Sequence, residues 1–308
     1  MTLFWDLFID PLSYGFMQRA MMAAVLIGAV SAVLSCYLVL KGWALMGDAI
    51  SHAVLPGIVL AFVMGIPLVI GAFVAGLSCA LLTGYLKENS RIKEDTVMGI
   101  VFSGMFGFGL VLFTKVQTDQ HLDHILFGNI LGVTRSDVVE VAIVALGVLA
   151  IMIAKRRDFL VYCFDPQHAQ AIGLPVRVLH YSLLVLLSLT IIMALKAVGI
   201  ILVVAMLVAP GAVAYLLTNR FDHMLLIATA VAIGSGVFGT LISFHIDGAT
   251  GPCIVLLQST IFILVFLYAP GRGLLREKTI NADFAGGTVL QTPEASKAQP
   301  ETFETGRN

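Results

Sequence analysis

Between Leu45 and Gly57 the chain reads LMGDAISHAVLPG, and two of its side chains are able to do chemistry. Asp48 is the only acid deep inside an apolar run, and His52 follows four residues later. On an α-helix that spacing sets both side chains on one face, about 40° apart. A carboxylate beside an imidazole can ligate a divalent transition metal, and manganese, ferrous iron and zinc all accept that pair. The same two groups could relay protons, or could hydrogen-bond to each other and lock two helices. At this level the three readings stay open. Pro56 sharpens the first, because it removes a backbone N–H and frees the carbonyl of His52. A helix broken there leaves polar backbone at the level of the pair, a recurring way to build ion sites inside membranes.

The elements that must position this pair are apolar. Hydrophobic residues make up 59% of the 308, charged residues 12%, and the mean hydropathy is +0.97. A soluble domain holds about 25% charged residues. Half that charge cannot cover a soluble surface, which excludes a soluble enzyme and a disordered chain. A net charge of −1 offers no basic field, so nucleic acid is not a partner. The chain reads as an all-α, polytopic membrane helix bundle.

A bilayer core needs about 20 apolar residues per helix. Nine runs qualify or nearly do: Met21–Leu40, Trp43–Met64, Pro67–Leu86, Thr96–Thr114, Val138–Ala154, Leu179–Leu195, Ala197–Leu217, His223–Phe244 and Pro252–Pro270. If the region around Lys41 is re-entrant, the count falls to eight. The runs are continuous, not alternating, which favours helices over a barrel. Asp48 at a helix centre costs about 2.5–3.5 kcal/mol, so it should face a cavity or a partner. Residues 1–20 form an N-terminal segment in which Phe4–Met17 suits an interfacial helix. Residues 21–278 form the membrane domain. Residues 279–308 are rich in Gly, Thr, Glu, Gln and Pro and read as a disordered tail.

Of the 16 Lys and Arg up to Ile280, 12 fall on the side that holds Lys87–Lys93, Lys155–Arg157 and the loop after the ninth run. That side is cytoplasmic by the positive-inside rule, and so is the C-terminus. Small residues recur every fourth position at Gly99, Ser103 and Gly107, and at Ser235 and Gly239, which suits close helix packing. Cys36, Cys79, Cys163 and Cys253 lie far apart and suggest neither a disulfide framework nor a zinc site. His121, Asp123 and His124 fall in an outer loop, where solvation explains them and collection of cations is the alternative. His168, His180 and His223 fall at cytoplasmic ends, where solvated histidines need no function. His245 and Asp247 read as a turn, and Pro210 as a kink in the seventh run.

The longest inner loop runs from Lys155 to His180. Within it, residues 165–173 read as a short helix: Asp165 is a good N-cap, Pro166 suits the first position, and Gly173 and Pro175 end it. Ala169, Ala171, Ile172 and Leu174 offer a small apolar surface for docking. No G-x-x-x-x-G-K-[ST] occurs, so the chain cannot hold ATP on a phosphate loop of its own. No H-E-x-x-H occurs either. The chain is not read as an enzyme, and no permanently bound cofactor is expected.

The stretches KGWALMGDAISHAVLPGIVLAF, DHILFGNIL, FDPQHAQAIGLPV, VGIILVVAMLVAPGAVAYLL and HIDGATGPCIVL occur in that order. Together they resemble the permease subunits of bacterial manganese, iron and zinc ABC importers, nearest to the manganese/iron branch. The likeness covers about Leu12–Gly271. It implies a homodimeric pore in the cytoplasmic (inner) membrane, with ATPase subunits bound below and an extracytoplasmic metal-binding protein delivering the cation. By position, Asp48 and His52 match the family's intramembrane gate and metal-contact residues. Asp165–Gly173 matches the coupling helix that meets the ATPase, with Asp165, Ala169 and Gly173 as its marked positions. Asp123 and His124 are weaker metal candidates. The alternative is a stand-alone proton-coupled transporter with Asp48 and His52 as its relay.

Overall fold

The apolar runs fold as helices because nothing but the backbone itself can satisfy their N–H and C=O groups inside a membrane. The structure, a computed structural model, describes residues 10–115 and 130–269. In chain order the helices are α1 (Asp10–Ser13), α2 (Gly15–Lys41), α3 (Met46–Ala53), α4 (Leu55–Met64), α5 (Leu68–Glu88) and α6 (Glu94–Lys115). After a 3₁₀ turn at Ile130–Gly132 come α7 (Arg135–Ala154), α8 (Arg156–Phe164), α9 (Pro166–Ala171), α10 (Val176–Leu217), α11 (Phe221–Ile246) and α12 (Thr250–Tyr268). No strand occurs among the described residues.

Nine stretches of these residues are long and apolar enough to cross a membrane. They match the nine apolar runs, and Met46–Met64 is one of them by length and composition. Two boundaries differ from expectation. Gly15–Ala20 are not a separate surface segment but the first turns of α2, with Met17 and Ala20 fully buried. The sixth and seventh runs have no loop between them: α10 holds both, interrupted at Gly199 (φ 78°, ψ 169°). Only glycine adopts that backbone without a severe Cβ clash, so one residue does the work of a turn.

The two ends of the bundle are set by contacts. At the basic end the Tyr37 ring meets Phe159 at 6.1 Å and Phe221 at 5.0 Å, and its hydroxyl donates to the Arg156 carbonyl at 3.2 Å. Arg156 also pairs with Asp222 at 3.1 Å. At the opposite end Arg19 Nε donates to the Val133 carbonyl at 3.0 Å, and Tyr14 lies 6.1 Å from Phe244. The start of α2 therefore sits opposite the basic end.

Helix α2 runs through the middle. It buries residues on every side, from Met17 to Leu38, as a helix at the centre of a bundle must. Its Ile27, Leu34 and Leu38 share one apolar core with Leu183, Leu187, Met206 and Leu207 of α10. Pro210 offers no N–H to the Met206 carbonyl of α10, and Ser35 of α2 bonds the backbone on either side of it. Ser35 Oγ accepts from the Gly211 N–H at 2.9 Å and donates to the Val208 carbonyl at 3.2 Å.

The small-residue spacings have different fates. Ser235 and Gly239 do pack: Gln258 donates to Ser235 at 2.9 Å, and a Cβ on Gly239 would stand 2.6 Å from Ile254. On α6, Gly99 and Gly107 have no neighbour within 4 Å of a built Cβ, and Ser103 and Gly107 are exposed. The α6 glycine that packs is Gly109.

Candidate metal site

Asp48 lies in the first turn of α3 and His52 in its last. Their i, i+4 spacing brings His52 Nε2 to 3.3 Å from Asp48 Oδ1, with the side chains 29% and 36% exposed. The helix breaks at Val54, two residues before Pro56, and resumes as α4 with Pro56 in its first turn. The carbonyl of His52, deprived of its partner by the proline, takes the N–H of Val54 instead.

Two features of the site carry no signal in the sequence spacing. The first is an aromatic wall from α6: the His52 ring stacks on Phe102 at 6.0 Å and meets Phe106 edge-on at 5.3 Å. Nothing in the spacing of α6 marks these as neighbours of a histidine. The second is the closeness of the backbones that hold the break. Gly57 of α4 and Gly71 of α5 touch so tightly that a Cβ on either would overlap the other's carbonyl oxygen. Gly109 of α6 lies against Pro56, where a Cβ would fall 2.8 Å from the proline Cδ. Glycines at these crossings could have been suspected from the rule that small residues let helices approach.

The pair can do what a bidentate site does. Metal–oxygen and metal–nitrogen bonds of about 2.0–2.2 Å, at angles between octahedral and tetrahedral, hold neighbouring donor atoms about 2.8–3.6 Å apart. The observed 3.3 Å falls inside that bite. His52 Nδ1 is buried and has no hydrogen-bond partner among the described residues. The described residues hold no cluster of three or more His, Cys, Asp or Glu fit for a metal. Two ligands are therefore what the described part of one chain supplies.

The remaining sequence candidates fall elsewhere. Asp123 and His124, with His121, lie outside the described residues. His168 and His223 are at the basic end, as expected, and His168 is exposed. Asp247 takes a left-handed conformation that ends α11, and His245, in the last turn of that helix, has Nδ1 2.8 Å from the Leu241 carbonyl of the same helix. His180 is not a solvated end residue: its Nδ1 bonds the Tyr162 hydroxyl at 2.8 Å. All four cysteines are free, and Cys36, Cys79 and Cys163 are buried.

The short helix in the inner loop is present as α9. Asp165 Oδ1 accepts from the N–H groups of Gln167 and His168 at 2.9 and 3.0 Å, the N-cap that its position suggested. Gly173 has φ 84°, Leu174 N–H reaches the Ala169 carbonyl at 3.0 Å, and Gly173 N–H reaches Gln170. That is a Schellman ending, which needs the left-handed glycine. One expectation is corrected here. Ala169 is fully buried rather than part of a docking surface, because the helix rests on it. What α9 and its ending expose is Gln167, His168, Gln170, Ala171 and Ile172.

A cavity of about 270 Å³ opens between α5, α7 and α10, away from the basic end, lined by Val69, Phe73, Asp137, Glu140, Ile192 and Met193 among others. Neither Asp48 nor His52 lines it. Asp137 is committed to the capping box that starts α7 with Thr134.

The sequence pattern of the ABC 3 transport family matches residues 13–269, from just before α2 to the end of α12. The chain belongs to the ABC 3 transport family. As a chain of the ABC 3 transport family it is similar to the Yersinia pestis chelated iron transport system membrane protein YfeD. The two are 62% identical over 268 residues, 87% of this chain and 90% of that one. It is also similar to the Synechocystis manganese transport system membrane protein MntB, 48% identical over 275 residues, 89% of this chain and 90% of that one. Among solved structures it resembles PsaBC from Streptococcus pneumoniae in complex with Fab. That match has a TM-score of 0.79 at 39% identity and covers 88% of this chain and 98% of that one. Membership of the ABC 3 transport family sets aside the stand-alone proton-coupled transporter.

Proposed function

We propose that the chain is the membrane-spanning permease subunit of an ATP-binding cassette importer that carries a divalent transition metal into the cytoplasm. The cargo is manganese or ferrous iron, and zinc fits the same donor set. The observation that carries this reading is the Asp48–His52 pair, set 3.3 Å apart at a helix break inside the bundle. The names of the similar iron and manganese transport proteins support it.

The pair suits a passing ion rather than a resident one. A histidine that holds a metal for long usually donates its second nitrogen to a fixed acceptor, and losing that acceptor costs about 10- to 100-fold in affinity. His52 Nδ1 is buried with no such acceptor among the described residues. Two ligands from one chain also leave a tetrahedral ion half bound. A second copy of the chain, facing the first across a pore, supplies two more and completes four. Weak binding and shared ligands let the ion leave.

The energy comes from elsewhere, since the chain has no phosphate loop. Cytoplasmic ATPase subunits bind at the basic end, where α9 acts as the coupling helix with Asp165 and Gly173 fixing its two ends. Ala169 seats the helix on the body. An extracytoplasmic metal-binding protein delivers the cation at the other end. The protein lies in the inner membrane among its lipids with the basic end and the C-terminus in the cytoplasm. The permease domain begins with α2 at Gly15 and runs to about residue 278, and 279–308 are a tail; residues past 269 lie outside the described residues.

The test is reconstitution of the chain with its ATPase subunits in vesicles. ATP-dependent accumulation of Mn2+ or Fe2+ supports the proposal. ATP-independent accumulation by the chain alone, driven by a proton gradient, overturns it.

A further inference from the structure

A compact cluster at the basic end lies between α9 and the start of the Asp48–His52 helix. Helix α2 ends in a Schellman turn: Gly42 is left-handed (φ 77°), Gly42 N–H reaches Val39, and Trp43 N–H reaches the Leu38 carbonyl at 2.8 Å. That turn plugs Trp43 into the bundle, 2% exposed, three residues before α3 begins. The Trp43 ring meets the edge of His180, at the base of α10, with centroids 5.2 Å apart. His180 Nδ1 bonds the Tyr162 hydroxyl at 2.8 Å. Tyr162 lies on α8, three residues before the Asp165 cap of α9, and is 2% exposed. The Lys41 ammonium caps the cluster, 4.2 Å from the Tyr162 ring centroid and 5.9 Å from that of Trp43. Gly84 of α5 admits it, since a Cβ there would stand 3.1 Å from His180 Nε2.

We propose that Tyr162, His180 and Trp43 are positioning residues that pass displacement of α9 to the Asp48–His52 helix. The inference rests on the permease reading above. Its physical basis is that each step is a rigid contact. Tyr162 follows α9 through one helical turn, the hydroxyl–imidazole bond fixes the distance to α10, and Trp43 is tied by backbone bonds to both α2 and α3. Met46 N–H reaches the Trp43 carbonyl at 3.0 Å, so α3 starts on the residue that the cluster holds. A push on α9 that moved Tyr162 would have to shift His180 against the Trp43 ring or break the part-buried Tyr162–His180 hydrogen bond. None of the three residues is placed to touch the ion.

The experiment uses the permease assembled with its ATPase subunits in vesicles and measures Mn2+ transported per ATP hydrolysed. Tyr162→Phe removes the hydroxyl and keeps the ring. It should leave subunit binding and ATP hydrolysis near wild type and lower the ratio by about 2- to 30-fold, the range for residues inside coupling networks. His180→Ala should act the same way. The double variant should be no worse than the poorer single one, because both break one link. Losses that multiply, or that track loss of folded protein, overturn the proposal, as does a wild-type ratio in Tyr162→Phe. A wild-type complex that hydrolyses ATP and moves neither Mn2+ nor Fe2+ would instead overturn the permease reading.

Discussion

Replacing Gly109 with alanine should loosen the Asp48–His52 site from a neighbouring helix. The new Cβ would lie 2.8 Å from both Cδ and N of Pro56, and 3.1 Å from Leu55 Cγ. Carbon atoms rest about 3.5–4.0 Å apart, so α6 must retreat by roughly 0.7–1.2 Å. The leucine can turn aside, but a proline ring fused to the backbone cannot. Overpacking of this kind costs about 1–3 kcal/mol. Alanine returns about 1 kcal/mol of helix propensity, which leaves a net loss of about 0–2 kcal/mol. The functional effect should exceed the loss of stability. Phe106 and Phe102 precede Gly109 by about one and two helical turns, and they are the rings against which His52 rests. A retreat of α6 frees the imidazole to leave its 3.3 Å contact with Asp48. The assay is Mn2+ uptake per correctly inserted molecule, with thermal unfolding in detergent alongside. Gly104→Ala is the control on the same helix, since nothing lies within 4 Å of its built Cβ. Gly109→Ala should lose uptake several-fold while Gly104→Ala keeps it. Equal uptake and equal stability in the two variants would refute the reasoning.

Four further outcomes follow from the packing. Ser35→Ala should lower the melting temperature by removing the acceptor for the Gly211 N–H; a buried donor left alone costs about 1–3 kcal/mol, and an unchanged melting curve would contradict this. Gly173→Ala should cost about 1–2 kcal/mol through its left-handed backbone alone, because no atom lies within 4 Å of a Cβ there, and should weaken ATPase subunit binding in a pull-down. Ala169→Arg should reduce folded protein as well as binding, since the site is fully buried. Burial pushes the Cys163 thiol up to about 12, against a smaller downward pull from Lys41, so maleimide at pH 8 should label it only after denaturation.

Much of the fold could be read from the chain because membrane helices carry their own signal. An unbroken apolar run of sufficient length admits one structure, and the nine runs returned as nine stretches with ends shifted by a few residues. The Asp48–His52 contact was legible for a similar reason: helical geometry alone brings an i, i+4 pair together. What was hidden depended on which helix lies beside which. Phe102 and Phe106 looked like any aromatic residues of an apolar span until α6 was placed against α3. His180 passed for a solvated end because its partner, Tyr162, is 18 residues away on another helix. The sequence pattern does not fix which face of the six-residue α9 carries Ala169, because one position shifts a side chain by about 100°. On α6 the regular spacing Gly99, Ser103, Gly107 drew attention, while the close crossing was made by Gly109.

The central claim is that Asp48 and His52 handle the ion rather than brace the bundle, and one comparison tests it most directly. In vesicles holding the permease with its ATPase subunits, Mn2+ uptake per inserted molecule is measured for wild type, Asp48→Asn and His52→Ala, with melting temperature recorded for each. A carboxylate inside a membrane is costly, so its neutral replacement should fold at least as well. The account predicts uptake near background in both variants with melting temperatures held or raised. Wild-type uptake per molecule in both variants, or uptake lost only in proportion to folded protein, would contradict it.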